Sequence, residues 1–234
     1  MNKPIFLWST WALLSVYLVI LAGAVVRMTG SGMGCPDWPK CFGYLIPPTE
    51  RSQLDWQPNK NYEKGNVIIL DNTLQVATQT FESGITIDLQ NWEAYTKHDY
   101  TTFNATHTWV EFINRLLGAI SGLIVLGLFI RSLWWIRKQP LLSLFSFFAV
   151  VGMGIQAWLG KTVVDSNLLP SKISLHMIMA LLIVSVLLFV RTKSHGKQIQ
   201  QPSKTLLMLI VGSFALTLIQ LSLIHISEPT RRKR

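Results

Sequence analysis

Half of the 234 residues are hydrophobic, nine are tryptophan and only 14% are charged, with a formal net charge of +9. So apolar a composition excludes an ordinary soluble domain and a disordered chain, and points to a membrane protein. The positive excess is a topology signal and gives no reason to invoke nucleic acid.

Five runs reach the length needed to cross about 30 Å of hydrocarbon: about 5–26, 109–130, 141–160, 173–190 and 205–224. The first could be a signal peptide, but it is long, has a single Lys3 before it and lacks a small-residue cleavage pattern after it. An uncleaved helix is therefore expected. The connection 29–108 that follows carries more acids than bases. Arg131, Arg137 and Lys138 flank the second and third runs, and Arg191, Lys193, Lys197 and Lys204 flank the fourth and fifth. By the positive-inside rule these basic segments and the N-terminus face the cytoplasm, and loop 29–108 is extracytoplasmic.

That loop divides near residue 49. Its first part, Thr29-Gly-Ser-Gly-Met-Gly-Cys35-Pro-Asp-Trp38-Pro-Lys-Cys41-Phe-Gly43, has the glycines and prolines of a tightly turned cap on a helix end. From Pro47 to about Thr80 the composition is polar, and Phe81 to Tyr100 mixes aromatics with acids; short irregular or helical pieces on the membrane surface are expected. Cys35 and Cys41 are the only cysteines and lie on the side where disulfides form, so a disulfide is expected, as a structural staple or as a redox-sensitive pair. Zinc lacks further ligands nearby, and a Cys-x-x-Cys-His haem attachment site is absent from the sequence.

Glu111 stands at the head of the second run, where a carboxylate is costly. Helical spacing puts His107, Glu111, Asn114, Arg115 and Gly118 on one face. Gly118 and Gly122 extend it as a Gly-x-x-x-Gly pair, against which a helix or a flat cofactor could rest. Glu111 and Arg115 alone could be an ion pair holding the helix end, but with a histidine and an amide beside them they look like a site. His176 lies about one turn into the fourth run, at a similar depth, and a neutral imidazole there is a candidate haem ligand. His98 and His195 are expected to be solvated loop residues. The last residues, 221–234, end in Arg231-Arg-Lys-Arg234 on the wrong side of the membrane. They resemble translated sequencing-adapter read-through and are left out of the fold, with His225 among them.

Three stretches resemble the haem A synthases of the respiratory membrane. They are Gly23-Ala-Val-Val-Arg27-Met-Thr29-Gly-Ser-Gly-Met-Gly-Cys35 continuing through Trp38-Pro39 to Cys41 and Gly43, then Glu111-Phe-Ile-Asn114-Arg115, then Gln156-Ala-Trp-Leu-Gly160 followed by His176. The resemblance implies an all-α integral membrane protein of eight helices in two pseudo-symmetric four-helix bundles. On this basis residues 1–195 form a haem-binding transmembrane bundle with the large loop 29–108, residues 196–220 begin the second bundle and 221–234 are a non-native tail. The implied function is an oxidoreductase of the plasma (inner) membrane that oxidises a methyl group of haem O to the formyl group of haem A for terminal oxidases. Haem O arrives from haem O synthase, a haem b in the missing half passes electrons from an unidentified donor, and association of several copies stays open.

Carried over by position, Glu111 matches the family's essential glutamate, His176 an axial histidine, and Cys35 and Cys41 its cysteine pair. Asn114 stands where many members have the other axial histidine, and an amide is a poor iron ligand. His107 is then the candidate second ligand; the alternative is five-coordinate iron. Arg115 and Arg27 suit haem propionates, Arg27 equally an interfacial anchor. Trp38 and Trp109 read as interface-belt residues covering the site. The competing class is a membrane haem-binding or electron-transfer module without chemistry, which does not need Glu111.

Overall fold

The computed structural model describes residues 3–96 and 103–195, together with Met208 and Gly212. Four helices dominate: α1 Lys3–Met28, α2 Ala105–Leu133, α3 Pro140–Asp165 and α4 Pro170–His195. Each is long and apolar enough to cross a membrane. They overrun the apolar windows because helix propagation continues into polar flanks once an end is capped. Asn104 caps α2, its side-chain Oδ1 accepting from the His107 backbone N–H at 3.2 Å. α3 and α4 each open on proline, whose missing N–H costs nothing at a first helical position. Leu7, Leu21, Leu123, Trp158 and Leu182 stay exposed, as lipid-facing residues should. The expected fifth helix, the 221–234 tail and His98 lie outside the described residues, apart from helical Met208 and Gly212.

One compact unit comprises Met1–Leu13, Ile124–Leu159 and Leu169–Arg234. Within it the helices pack in a ring through small residues. Gly127 of α2 lies under the Trp8 ring of α1, and Gly152 of α3 faces Ile183 of α4. Ser143 Oγ of α3 donates to the Ser132 carbonyl of α2 at 2.8 Å, and Arg191 Nε of α4 donates to Thr10 Oγ1 of α1 at 3.1 Å. Small side chains let backbones approach where lipid offers no hydrophobic drive for helix association. His195 corrects an expectation here: it is the last residue of α4, half-buried, its ring centroid 4.9 Å from that of Phe6 in an edge-to-face contact, and so not a solvated loop residue.

The second unit comprises Leu14–Leu123 and Gly160–Leu168. α1 and α2 meet in it through a Ser15–Ser121 hydroxyl pair at 3.0 Å. Its loop segment bears out the expected short helical pieces only at the 3-10 turns Arg51–Leu54 and Leu89–Asn91, and otherwise corrects the expectation, because among the described residues it holds five strands: β1 Asn61–Tyr62, β2 Val67–Leu70, β3 Thr73–Ala77, β4 Phe81–Glu82 and β5 Trp92–Ala94. β2, β3 and β5 form an antiparallel sheet, and β1 pairs with β4. β2 and β3 close as a hairpin with Leu70 opposite Thr73. Asp71 and Asn72 both take positive φ, the backbone of a tight two-residue connection. Val67 and Ile69 enter a core with Cys35, Cys41, Phe42 and Leu54, while Ile68 enters another with Tyr62, Ala77 and Trp92. Burial on both faces explains why β2 is an unbroken apolar run.

Candidate functional site

The glycine-rich loop after α1 is gripped by the first turns of α2. Gly34 packs its Cα on the backbone of His107 and Thr108, a fit that only glycine allows. Thr108 Oγ1 donates to the Gly34 carbonyl at 2.8 Å, and one turn on, Glu111 Oε2 accepts the Cys35 N–H at 2.9 Å. The other Glu111 oxygen pairs with Arg115. Arg115 also donates to the carbonyls of Asp37 at 2.7 Å, Lys40 at 3.1 Å and Cys35 at 3.4 Å, so the loop wraps around the guanidinium. Cys35 and Cys41, both buried, are joined by a disulfide.

The loop is tied from its other sides too. Asp37 accepts the Phe42 and Gly43 N–H groups at 2.6 and 2.8 Å. Burial pushes its carboxyl above the ordinary 3.8, against the pull of those two N–H groups and of Arg115. Tyr95 Oη donates to the Pro36 carbonyl at 2.8 Å. Its hydroxyl, pushed up to about 12 chiefly by burial, remains a donor at any physiological pH.

Glu111, Arg115, Cys35 and Cys41 thus form one cluster, with a carboxylate only 5% exposed. Arg115 spends its donors on Glu111 and three loop carbonyls. His107 is half-buried one turn before Glu111. Asn114 Oδ1 is buried with no hydrogen-bond partner among the described residues, near Gly23 of α1. A Cβ on Gly118 would meet nothing within 4 Å, so this face of α2 has open space beside it. Arg27 is in the last turn of α1 and exposed. His176 belongs to the other unit, where Gln156 Nε2 lies 3.3 Å from its Nδ1 and 3.1 Å from its carbonyl oxygen.

Asp37, Thr108 and the Gln156–His176 pairing were beyond sequence reasoning; for Asp37 the one available signal is the habit of a short carboxylate in a Gly/Pro turn to accept nearby N–H groups. Among the described residues no three His, Cys, Asp or Glu side chains gather as a metal site. A haem fits such a donor set, because porphyrin supplies the equatorial nitrogens and the protein needs only one or two axial imidazoles.

A family model described as cytochrome oxidase assembly protein matches residues 6–223. The chain is 26% identical over 194 residues to a haem A synthase of Shewanella oneidensis, covering 81% of this chain and 47% of the relative. A haem A synthase of Exiguobacterium sp. is 25% identical over 202 residues, 83% of this chain and 49% of the relative. One of Rickettsia prowazekii is 24% identical over 230 residues, 92% and 58%. The chain spans about half the length of the curated relatives it matches. No solved structure matches it.

Proposed function

The chain belongs to the COX15-CtaA family of cytochrome oxidase assembly proteins, and from that premise we propose that it works as part of a haem A synthase. The substrate is haem O, whose methyl group is oxidised to a formyl group; the iron-porphyrin supplies the redox-active centre. Glu111 is the catalytic carboxylate, acting as base or stabilising positive charge developing at the substrate edge. The observation that carries this reading is its setting: a buried carboxylate on a membrane-spanning helix, with the Cys35 N–H and Arg115 on its oxygens, is oriented and charge-compensated.

His176 would hold the haem iron and His107 is the candidate for a second imidazole, since Asn114 offers only an amide. Arg27, in the last turn of α1, is a candidate for a propionate or an anchor of the helix end. Haem O synthase would deliver the substrate, and a haem b held elsewhere in the full protein would supply electron transfer. The Cys35–Cys41 disulfide and the basic residues between and after the helices support a plasma-membrane protein with loop 29–108 extracytoplasmic.

One observation favours a second reading, a haem-binding module without chemistry. Both Glu111 oxygens are engaged and Arg115 binds three loop carbonyls, which is what a purely structural clamp would do. Co-expression of the full protein with haem O synthase, followed by haem extraction and chromatography, separates the two. Glu111→Gln keeps an acceptor for the Cys35 N–H and removes the charge. Loss of haem A with the disulfide loop still protected supports catalysis. Haem A at the parental level assigns Glu111 to the clamp, and none from the intact protein overturns the synthase reading.

A further inference from the structure

Around α2 from Glu111, the loop segment walls a second space. Trp109 precedes Glu111 by two residues, about 200° around the helix, so it faces away from the carboxylate cluster. It lines a cavity of about 390 Å³ whose remaining walls come from the chain on either side of the Arg51–Leu54 turn. Trp109, Pro48 and Ile46 give the cavity its apolar side, and Lys60, Gln53 and Thr49 its polar one; among the described residues no carboxylate lines it. The polar side is set to donate. Gln53 Oε1 is occupied by the Thr49 and Glu50 N–H groups, at 2.7 and 3.4 Å, which leaves its NH2 as the donor. Lys60 rests its ammonium over the Tyr62 ring at 5.3 Å, and among the described residues it has no carboxylate partner. An ammonium and an amide NH2 in a half-apolar pocket suit an anion that also carries a hydrocarbon part.

We propose that this cavity binds the phosphate of an anionic phospholipid, with Lys60 and Gln53 on the phosphate oxygens and Ile46 and Trp109 against the first acyl carbons. Depth selects a lipid among anions. Trp109 lies in the first turns of a membrane-length helix, the level at which headgroup phosphates are concentrated and tryptophan rings settle. Leu45 and Ile46, 76% and 72% exposed, form an apolar edge beside the cavity that acyl chains cover better than water does. The Lys60 charge then favours an anionic headgroup over a zwitterionic one.

The test places a fluorophore beside the cavity. Cys35 and Cys41 are paired and buried, so Leu45→Cys offers a single reactive thiol. The labelled chain in phosphatidylcholine nanodiscs is titrated with quencher-bearing phosphatidylglycerol or, separately, with quencher-bearing phosphatidylcholine. Phosphatidylglycerol should quench at about 5-fold lower mole fraction, the preference that one basic residue contributes near a membrane surface. Lys60→Gln should bring the two curves together, and Lys60→Arg should keep them apart. Gln53→Glu retains an acceptor for the Thr49 and Glu50 N–H groups, sets a negative charge beside the phosphate and should abolish the preference. Lys64 is exposed and does not line the cavity, so Lys64→Gln should leave the preference in place. Coincident curves in the parent, or the same preference in Lys60→Gln and Lys64→Gln, overturns the site. Inorganic phosphate that erases the preference at constant ionic strength assigns the cavity to free phosphate and overturns the lipid.

Discussion

Replacing Gly34 with alanine tests whether α2 holds the disulfide loop by direct backbone contact. The added Cβ would lie 2.5 Å from the His107 carbonyl carbon and 2.7 Å from the Thr108 nitrogen, with the His107 oxygen closer still. Ordinary contact begins near 3.4 Å, so loop and helix must separate by about 0.9 Å. A retreat of that size along the Cys35 N–H bond to Glu111 stretches its 2.9 Å to about 3.8 Å, which breaks it. A hydrogen bond to a charged group contributes about 1.5–3 kcal/mol and the neutral Thr108 bond about 1 kcal/mol, so the expected loss is about 2.5–4 kcal/mol. Thermal unfolding in nanodiscs should show a lower midpoint, and a thiol reductant should open Cys35–Cys41 faster than in the parent. If both the midpoint and the reduction rate are unchanged, the close approach does not hold the loop and the clamp argument fails.

Arg115→Lys keeps the charge but cannot reach the carbonyls of Cys35, Asp37 and Lys40 at once; it should cost about 2–3 kcal/mol in denaturant unfolding and raise the reduction rate of the disulfide. Asp37 titrates above its ordinary 3.8 in the folded protein, so between that value and its raised pKa the folded state binds more protons than the unfolded one. Its contribution to stability is therefore complete below that window and falls as pH rises through it, and Asp37→Asn should remove this slope from a stability-versus-pH curve. Asn72→Val at φ 58° should destabilise the β2–β3 hairpin by about 1–2 kcal/mol, while Asn72→Gly should not, read by hydrogen exchange of the Val67–Ala77 amides.

The helices were legible because a twenty-residue apolar run has few other fates, and their ends were misjudged because Asn104, Pro140 and Pro170 act locally on backbone that hydropathy does not weigh. Glu111 and Arg115 were legible as a pair because four residues make one helical turn. Their grip on the loop was not, since its other half is backbone N–H and C=O, which every residue carries and no motif marks. The β2–β3 hairpin did announce itself through an apolar run, a two-residue Asp71-Asn72 connection and a second run, but the Asn-, Gln- and Lys-rich surroundings masked it. The burial of His195 depends on Phe6, at the opposite end of the described chain, a pairing that neither local sequence contains.

The clamp also has an order in time. Its carboxylate reaches Cys35 across 76 residues and its guanidinium reaches the same residue across 80. At about 5–20 residues per second, a ribosome takes roughly 4–15 s to make the chain between them. The glycine-rich loop therefore emerges well before either partner, and the β2–β3 hairpin, built from neighbouring residues, can close in the interval. Oxidation of Cys35 and Cys41 in that interval would find them uncovered, and α2 would then close over a ring already covalent.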